Sequence, residues 1–305
     1  MNMVLSSLFP VFALLALGRL LRHFNLTGEM FLKTSDRLVY FIFFPILLFW
    51  KIGGAETGSG LAWNLCLGSL VAVAAVYLVS AAAIKILKVP AFQAGTFSQS
   101  CYRFNTYIGM AIIYYALGDE GIKHFGILVG FVIPFINVLA VSTLIWYSGR
   151  EFTTGERLKV MVKELVTNPL ILACVSGLLY MRWVNVFPLF IENTFRLSSA
   201  VAMPLALISI GGALTVKSLA GNFSLSLAGA VVKLIILPVV AFFCLKLFQV
   251  TGVPFNVGMI FFTLPTSASI YVLSSQLNSD TDLASATIVT STILSFFSLS
   301  IGLLL

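Results

Sequence analysis

Ser98-Gln99-Ser100-Cys101-Tyr102-Arg103-Phe104-Asn105-Thr106-Tyr107-Ile108-Gly109 lies between apolar flanks long enough for a membrane, yet it packs hydroxyls, an amide and a guanidinium into one short run. In hydrocarbon an exposed Arg is costly and every loose backbone group needs a partner, so this run must face protein or a watery cavity. It is the candidate site around which the chain is read.

The flanks decide the class. Of 305 residues, 59% are hydrophobic and only 10% charged, against about 25% charged in soluble domains. A span takes roughly 20 apolar residues. The apolar runs predict ten spans, at about 4–22, 37–53, 62–86, 94–117, 124–147, 165–183, 196–215, 224–248, 255–276 and 283–305. The fold class is therefore an all-α polytopic membrane protein. Arg19 and Arg22 follow the first apolar run instead of preceding it, the reverse of a signal peptide, so that run reads as a retained span. The net charge of +7 reads as loop charge in a lipid bilayer, not as a nucleic-acid surface. The loops after odd spans hold eleven Lys and Arg and the other side five, which places the odd loops in the cytoplasm and both termini outside.

The charged connection between the fifth and sixth spans divides the chain into 1–150, a loop at 151–164, and 165–305. The two halves echo each other. Pro10 and Pro169, Gly18 and Gly177, Pro45 and Pro204, and Gly53 and Gly212 share an offset of 159, and Pro90 with Pro254 and Tyr107 with Tyr271 share an offset of 164. Five spans per repeat force the copies into opposite orientations, the inverted repeat of secondary transporters, whose sites lie at discontinuous helices near the midplane. The second offset maps the opening stretch onto Leu264-Pro265-Thr266-Ser267-Ala268-Ser269-Ile270-Tyr271, pairing Asn105 with Ser269, Arg103 with Ser267 and Cys101 with Pro265. Pro265 lacks an N–H and bends a helix, freeing carbonyls.

The predicted substrate-binding residues are Ser100, Arg103, Asn105, Thr106, Pro265, Thr266, Ser267 and Ser269. The Arg103 guanidinium suits a carboxylate, or else caps loose carbonyls or reaches an interface. Asn105 and Thr106 can bind ligand or satisfy the backbone of the break. Lys233, in the eighth span, is a second buried cation that either snorkels or sets its ammonium beside free carbonyls, where it would replace a sodium ion. All eleven carboxylates lie in loops or near span ends, and His23 and His124 read as surface histidines, so a relay of buried acids is not expected. Cys66, Cys101, Cys174 and Cys244 have no ligand spacing and read as buried thiols, with neither disulfide nor metal site. No phosphate loop and no partnered nucleophile occur, so neither ATP drive nor enzymatic activity nor a cofactor is expected.

Arg103-Phe104-Asn105-Thr106 with Gly109, Asn168-Pro169 with Gly177, Pro204 with Gly211-Gly212, Lys233 with Pro238, and Pro265 followed by Asp280 to Ser291 resemble, in order and spacing, the auxin efflux carrier family. That family includes plant PIN proteins and bacterial permeases, and the resemblance covers essentially the whole chain. It implies two inverted five-span repeats, spans 1, 2, 6 and 7 as a scaffold, and spans 3–5 and 8–10 as an elevator-like transport domain with broken helices 4 and 9 crossing at the substrate. It also implies that Asn105 meets the substrate carboxylate and that Lys233 matches the family's basic residue in the eighth span. The chain differs from the plant members in having Phe104 and Ala268 at the crossing points, where they have proline, and in lacking their long central loop.

The leading expectation is a secondary transporter in a cell (plasma or inner) membrane, exporting a small organic anion, auxin-like or a dicarboxylate such as malate, driven by membrane potential. A cation-coupled symporter and a non-transporting membrane sensor are the alternatives. Small residues such as Gly221 and Gly229 suit packing within or between chains, which leaves a homodimer open.

Overall fold

The computed structural model describes residues 2–54, 62–148, 155–156, 159, 162–163, 166–184, 186–214 and 219–305, whose regular structure is helical, with no strand among them. Most of the 151–164 connection, and Lys217 from the cation count, lie outside the described residues. The helices are α1 (Asn2–His23), α2 (Glu29–Leu38), α3 (Phe44–Gly53), α4 (Trp63–Ile86), α5 (Ala91–Tyr102), α6 (Thr106–Tyr147), α7 (Pro169–Trp183), α8 (Leu189–Ala213), α9 (Leu219–Val231), α10 (Leu237–Leu247), α11 (Gly252–Thr263), α12 (Ser269–Gln276) and α13 (Thr281–Gly302).

Local chemistry explains where these helices start and bend. Asn168 caps α7, its Oδ1 accepting from the N–H groups of Leu170 and Ile171 at 3.0 and 3.3 Å, with Pro169 at the first position where a missing N–H costs nothing. Asp280 caps α13 through Asp282 and Leu283 at 2.8 and 2.9 Å. Two π-helical turns, Val39–Phe43 before Pro45 and Val232–Ile236 before Pro238, join α2 to α3 and α9 to α10. A proline ring collides with the carbonyl one turn back and offers no N–H, and the wider π turn absorbs both problems without ending the helix.

Among the described residues, six helical stretches are long and apolar enough to cross a membrane: Val4–His23, Trp63–Ile86, Ala91–Tyr147, Leu189–Ala213, Gly221–Leu247 and Thr281–Gly302. The chain is thus a polytopic helical membrane protein. The 42 residues of α6 are about 60 Å of helix, twice a hydrocarbon core. They divide at Gly118, where φ is 61° and ψ −151°. The sequence reading placed a loop at 118–123 between two spans; the turn is instead a single residue, because glycine alone enters that backbone region cheaply. Gly118→Ala is expected to cost about 1–3 kcal/mol, read as a lowered melting temperature. A Cβ there meets nothing within 4 Å, so an unchanged melting temperature would show that the backbone is not strained by a side chain.

Three other expectations shift. The second predicted span gains an amphipathic lead-in, α2, and the seventh begins at Leu189, because Glu192 and Arg196 lower hydropathy without disfavouring helix. His124 is not a surface histidine: it is 4% exposed and neighbouring Lys123 is 5% exposed, since α6 runs on from Gly118 directly into the packed interior. Cys66, Cys101 and Cys174 are buried free thiols, while Cys244 is half-buried.

Packing sorts the helices into two groups. The most extensive contacts are those of α1 with α8 and of α3 with α7. In the first pair a Cβ on Gly18 would overlap the Ile208 carbonyl oxygen, and one on Gly211 would overlap that of Leu15. In the second, a Cβ on Gly177 would come within 3.1 Å of Ile52. Elsewhere α9 lies on α13, α4 on α10, and α6 on both α5 and α11. These backbone approaches are the membrane form of helix association, in which small residues replace a hydrophobic driving force.

Candidate functional site

The polar stretch breaks its helix. After α5 the backbone turns extended at Arg103 (φ −80°, ψ 152°), and Arg103-Phe104-Asn105 is non-helical before α6 begins. Asn105 restarts the helix as its cap: Oδ1 accepts from the N–H groups of Tyr107 and Ile108, each at 3.2 Å. The second break follows α11, where Leu264 is extended (φ −63°, ψ 149°) and helix resumes only at Ser269.

The two breaks meet. The backbone N–H of Asn105 donates to the Pro265 carbonyl at 2.9 Å, so each interruption satisfies a group the other has freed. Phe104 stacks on Phe261 with ring centroids 3.9 Å apart, edge-on to Phe262 at 5.6 Å. Over the same Phe104 ring, 3.5 Å from its centroid, sits the Lys233 ammonium. The N–H of Thr266 donates to Ser291 Oγ on α13 at 3.2 Å.

Several polar atoms here are buried without a hydrogen-bond partner: Asn105 Nδ2, Thr266 Oγ1, Lys233 Nζ and, on α13, Thr292 Oγ1. Each such group costs about 1–3 kcal/mol when left unsatisfied. An amide NH₂, hydroxyls and an ammonium are all able to donate, which suits an acceptor-only group such as a carboxylate. None of the carboxylates among the described residues is buried, and these residues hold no cluster fit for a metal ion.

The predicted site residues divide by this geometry. Asn105, Pro265, Thr266 and Lys233 come together at the crossing. Lys233 takes neither place the sequence suggested: it is 0% exposed, so it does not snorkel, and it faces a ring rather than freed carbonyls. It lies in the buried part of the π turn ahead of Pro238, beside Val232 and Leu234. Arg103, 7% exposed, is directed to α6, with Nη2 donating to Asn137 Oδ1 at 2.9 Å and Nη1 to Gln99 Oε1 at 3.5 Å. Ser100 turns back to the Phe97 carbonyl at 2.7 Å, close to Gly229. Ser267 and Ser269 bond each other at 2.7 Å, half-buried at the start of α12, and Thr106 is half-buried at the start of α6.

The sequence reading missed the parts that only a neighbour supplies. From Gln99, Nε2 reaches Ser274 Oγ at 2.9 Å, and Ser274 meets Thr96 at 2.7 Å, so a buried polar seam ties α5 to α12. Phe261 carries no mark in the sequence, and Ser291 appears there only as the end of the Asp280 to Ser291 run. Asn137, a lone amide in an apolar run, was the one signal available in advance.

Apolar helices interrupted at a buried, donor-rich crossing define an integral membrane protein built around an internal polar site. The family model described as membrane transport protein matches residues 3–303, and the chain belongs to that family, which takes in the auxin efflux carriers. It is a family of transporters and not of enzymes. No curated protein matches the chain.

Proposed function

We propose that the protein is a secondary transporter that exports a small organic anion, auxin-like or a dicarboxylate such as malate, across a plasma or inner membrane. The observation that carries this reading is the set of buried, unpartnered donors of Asn105, Thr266 and Lys233 at the meeting of two broken helices. A carboxylate would supply the missing acceptors, with Arg103 adding positive potential from its place beside Asn137 and the hydroxyls of Ser100, Thr106, Ser267 and Ser269 close along the chain.

The mechanism is an elevator-type shift. Two inverted five-span repeats, 1–150 and 165–305, each give two spans to a scaffold and three to the moving unit. The reciprocal packing of α1 on α8 and α3 on α7 supports a scaffold made of spans 1, 2, 6 and 7, and the packing of α4 on α10 and α9 on α13 supports the moving unit. With both termini outside and the cytoplasm negative, an anion gains about 2.3 kcal/mol per charge per 100 mV on leaving, so no coupled ion is needed.

The test is proteoliposome flux of a carboxylate panel under an imposed potassium-diffusion potential. Flux of at least one carboxylate is expected to rise with the potential and to persist without sodium or a proton gradient. Indifference to potential across the whole panel would remove the proposal.

A further inference from the structure

The donors that a carboxylate would meet are sealed. Asn105 and Thr266 are 2% and 0% exposed, with Nδ2 and Oγ1 buried. The surface begins beside them, where Ala268 is exposed and Ser267 and Ser269 are half-buried. A carboxylate that reaches the two serines therefore stops short of Asn105 and Thr266 until some element moves.

The elements around these donors are unequally held. α5 is buried from Ala94 to Tyr102, α6 from Ile108 to Ile113 and α11 from Val257 to Thr263. α12 differs: it has eight residues, and Tyr271, Val272, Ser275 and Gln276 are exposed. A helix so short has little stability of its own. Leu273 and Leu277 join a small cluster with Val141, Leu144 and Ile145 that is separate from the main core. What ties α12 to α5 is a chain of hydrogen bonds. Gln99 Nε2 donates to Ser274 Oγ at 2.9 Å, Ser274 Oγ lies 2.7 Å from Thr96 Oγ1, and Thr96 Oγ1 donates to the Asp280 carbonyl at 3.0 Å. The Thr96 proton is thereby used, so Ser274 donates to Thr96 and the chain runs one way. Water can replace such bonds at little net cost, which it cannot do for interlocked apolar side chains. Non-helical backbone bounds α12 at both ends, extended at Leu264 and left-handed at Asn278, where φ is 56°.

We infer that α12, with Ser267–Ser269 at its head, is a lid on the carboxylate site. It swings from α5 when the Gln99–Ser274–Thr96 chain opens to water, admits the carboxylate to Asn105 and Thr266, and closes over it. The inference rests on the carboxylate reading above. The lid moves within the transport unit, a step separate from the elevator shift.

The experiment uses the full chain in proteoliposomes. Thr96→Cys combined with Ser274→Cys sets two thiols where two hydroxyl oxygens lie 2.7 Å apart, near enough for a disulfide to form. Oxidation is expected to cut the flux of malate or of an indole carboxylate, whichever the parent carries, about tenfold, and a reductant to restore it. Each single variant under the same oxidant should show no such loss. In the purified protein Ser274→Ala, which cuts the chain, is expected to speed amide hydrogen exchange over residues 269–276 about tenfold while residues 91–102 keep the parent rate. Equal flux in the oxidised and reduced double variant, with the disulfide confirmed by mass, overturns the lid and leaves the transporter reading standing. Should the pair not cross-link, parent exchange rates over 269–276 in Ser274→Ala overturn it instead. A parent that carries no carboxylate removes the transporter reading and the lid together.

Discussion

Gly211→Leu will leave little folded protein. The Gly211 backbone lies so close to α1 that even a methyl group would overlap the Leu15 carbonyl oxygen, and the obstacle is main chain, which cannot rotate away. The helices must separate, and in a membrane no hydrophobic force drives them back together, since lipid tails are as apolar as leucine. Gly18 meets Ile208 in the same way from the other helix, so Gly18→Leu should act alike. Overpacking of this kind costs about 1–3 kcal/mol or more. The measurement is the monodisperse fraction and melting temperature in detergent. Gly221→Leu, at a site with nothing within 4 Å, is the control that should stay near the parent. A parent-like melting temperature for Gly211→Leu would mean that α1 and α8 are not packed as described.

Asn105→Asp will abolish flux while sparing the fold. Asn105 does two things with one side chain: Oδ1 caps α6, and Nδ2 remains a buried donor without a partner. Aspartate caps a helix as well as asparagine does, whereas alanine loses about 1 kcal/mol. Aspartate also replaces the spare donor with an acceptor that repels an anion. Thus Asn105→Asp should keep a melting temperature close to the parent, Asn105→Ala should lower it modestly, and both should cut carboxylate flux at least tenfold, about 1.4 kcal/mol or more. Parent-level flux in Asn105→Asp would remove Asn105 from the substrate site and leave it as a cap only.

Much of this was legible in the chain because membrane imposes simple rules. A run holding Arg103 and Asn105 between apolar flanks cannot face lipid, so its place in the interior followed from composition. The offset linking it to Pro265–Ser269 pointed to a second interruption, and the two breaks do touch at Asn105 and Pro265. The direction of each polar side chain was not legible. Arg103 reads as a ligand from its chemistry, yet its fork is turned to Asn137, 34 residues on. Ser267 and Ser269 read as ligands yet bond each other. Hydropathy marks 118–123 as a loop because it records that Asp119 and Glu120 are polar and not that one glycine turns the backbone.

By itself, the sequence determined that this is a helical membrane protein with a polar stretch it cannot expose, because transfer of backbone and charge into hydrocarbon depends on residue type alone. The tertiary structure decided which polar groups are left without partners at the crossing, and that Lys233 settles over Phe104 while Phe104 stacks on Phe261. Those outcomes depend on where distant helices place their side chains. The stretch from Ser98 to Gly109 supplies one face of the site, and the remainder exists only when α11, α13 and the π turn ahead of α10 are packed against it.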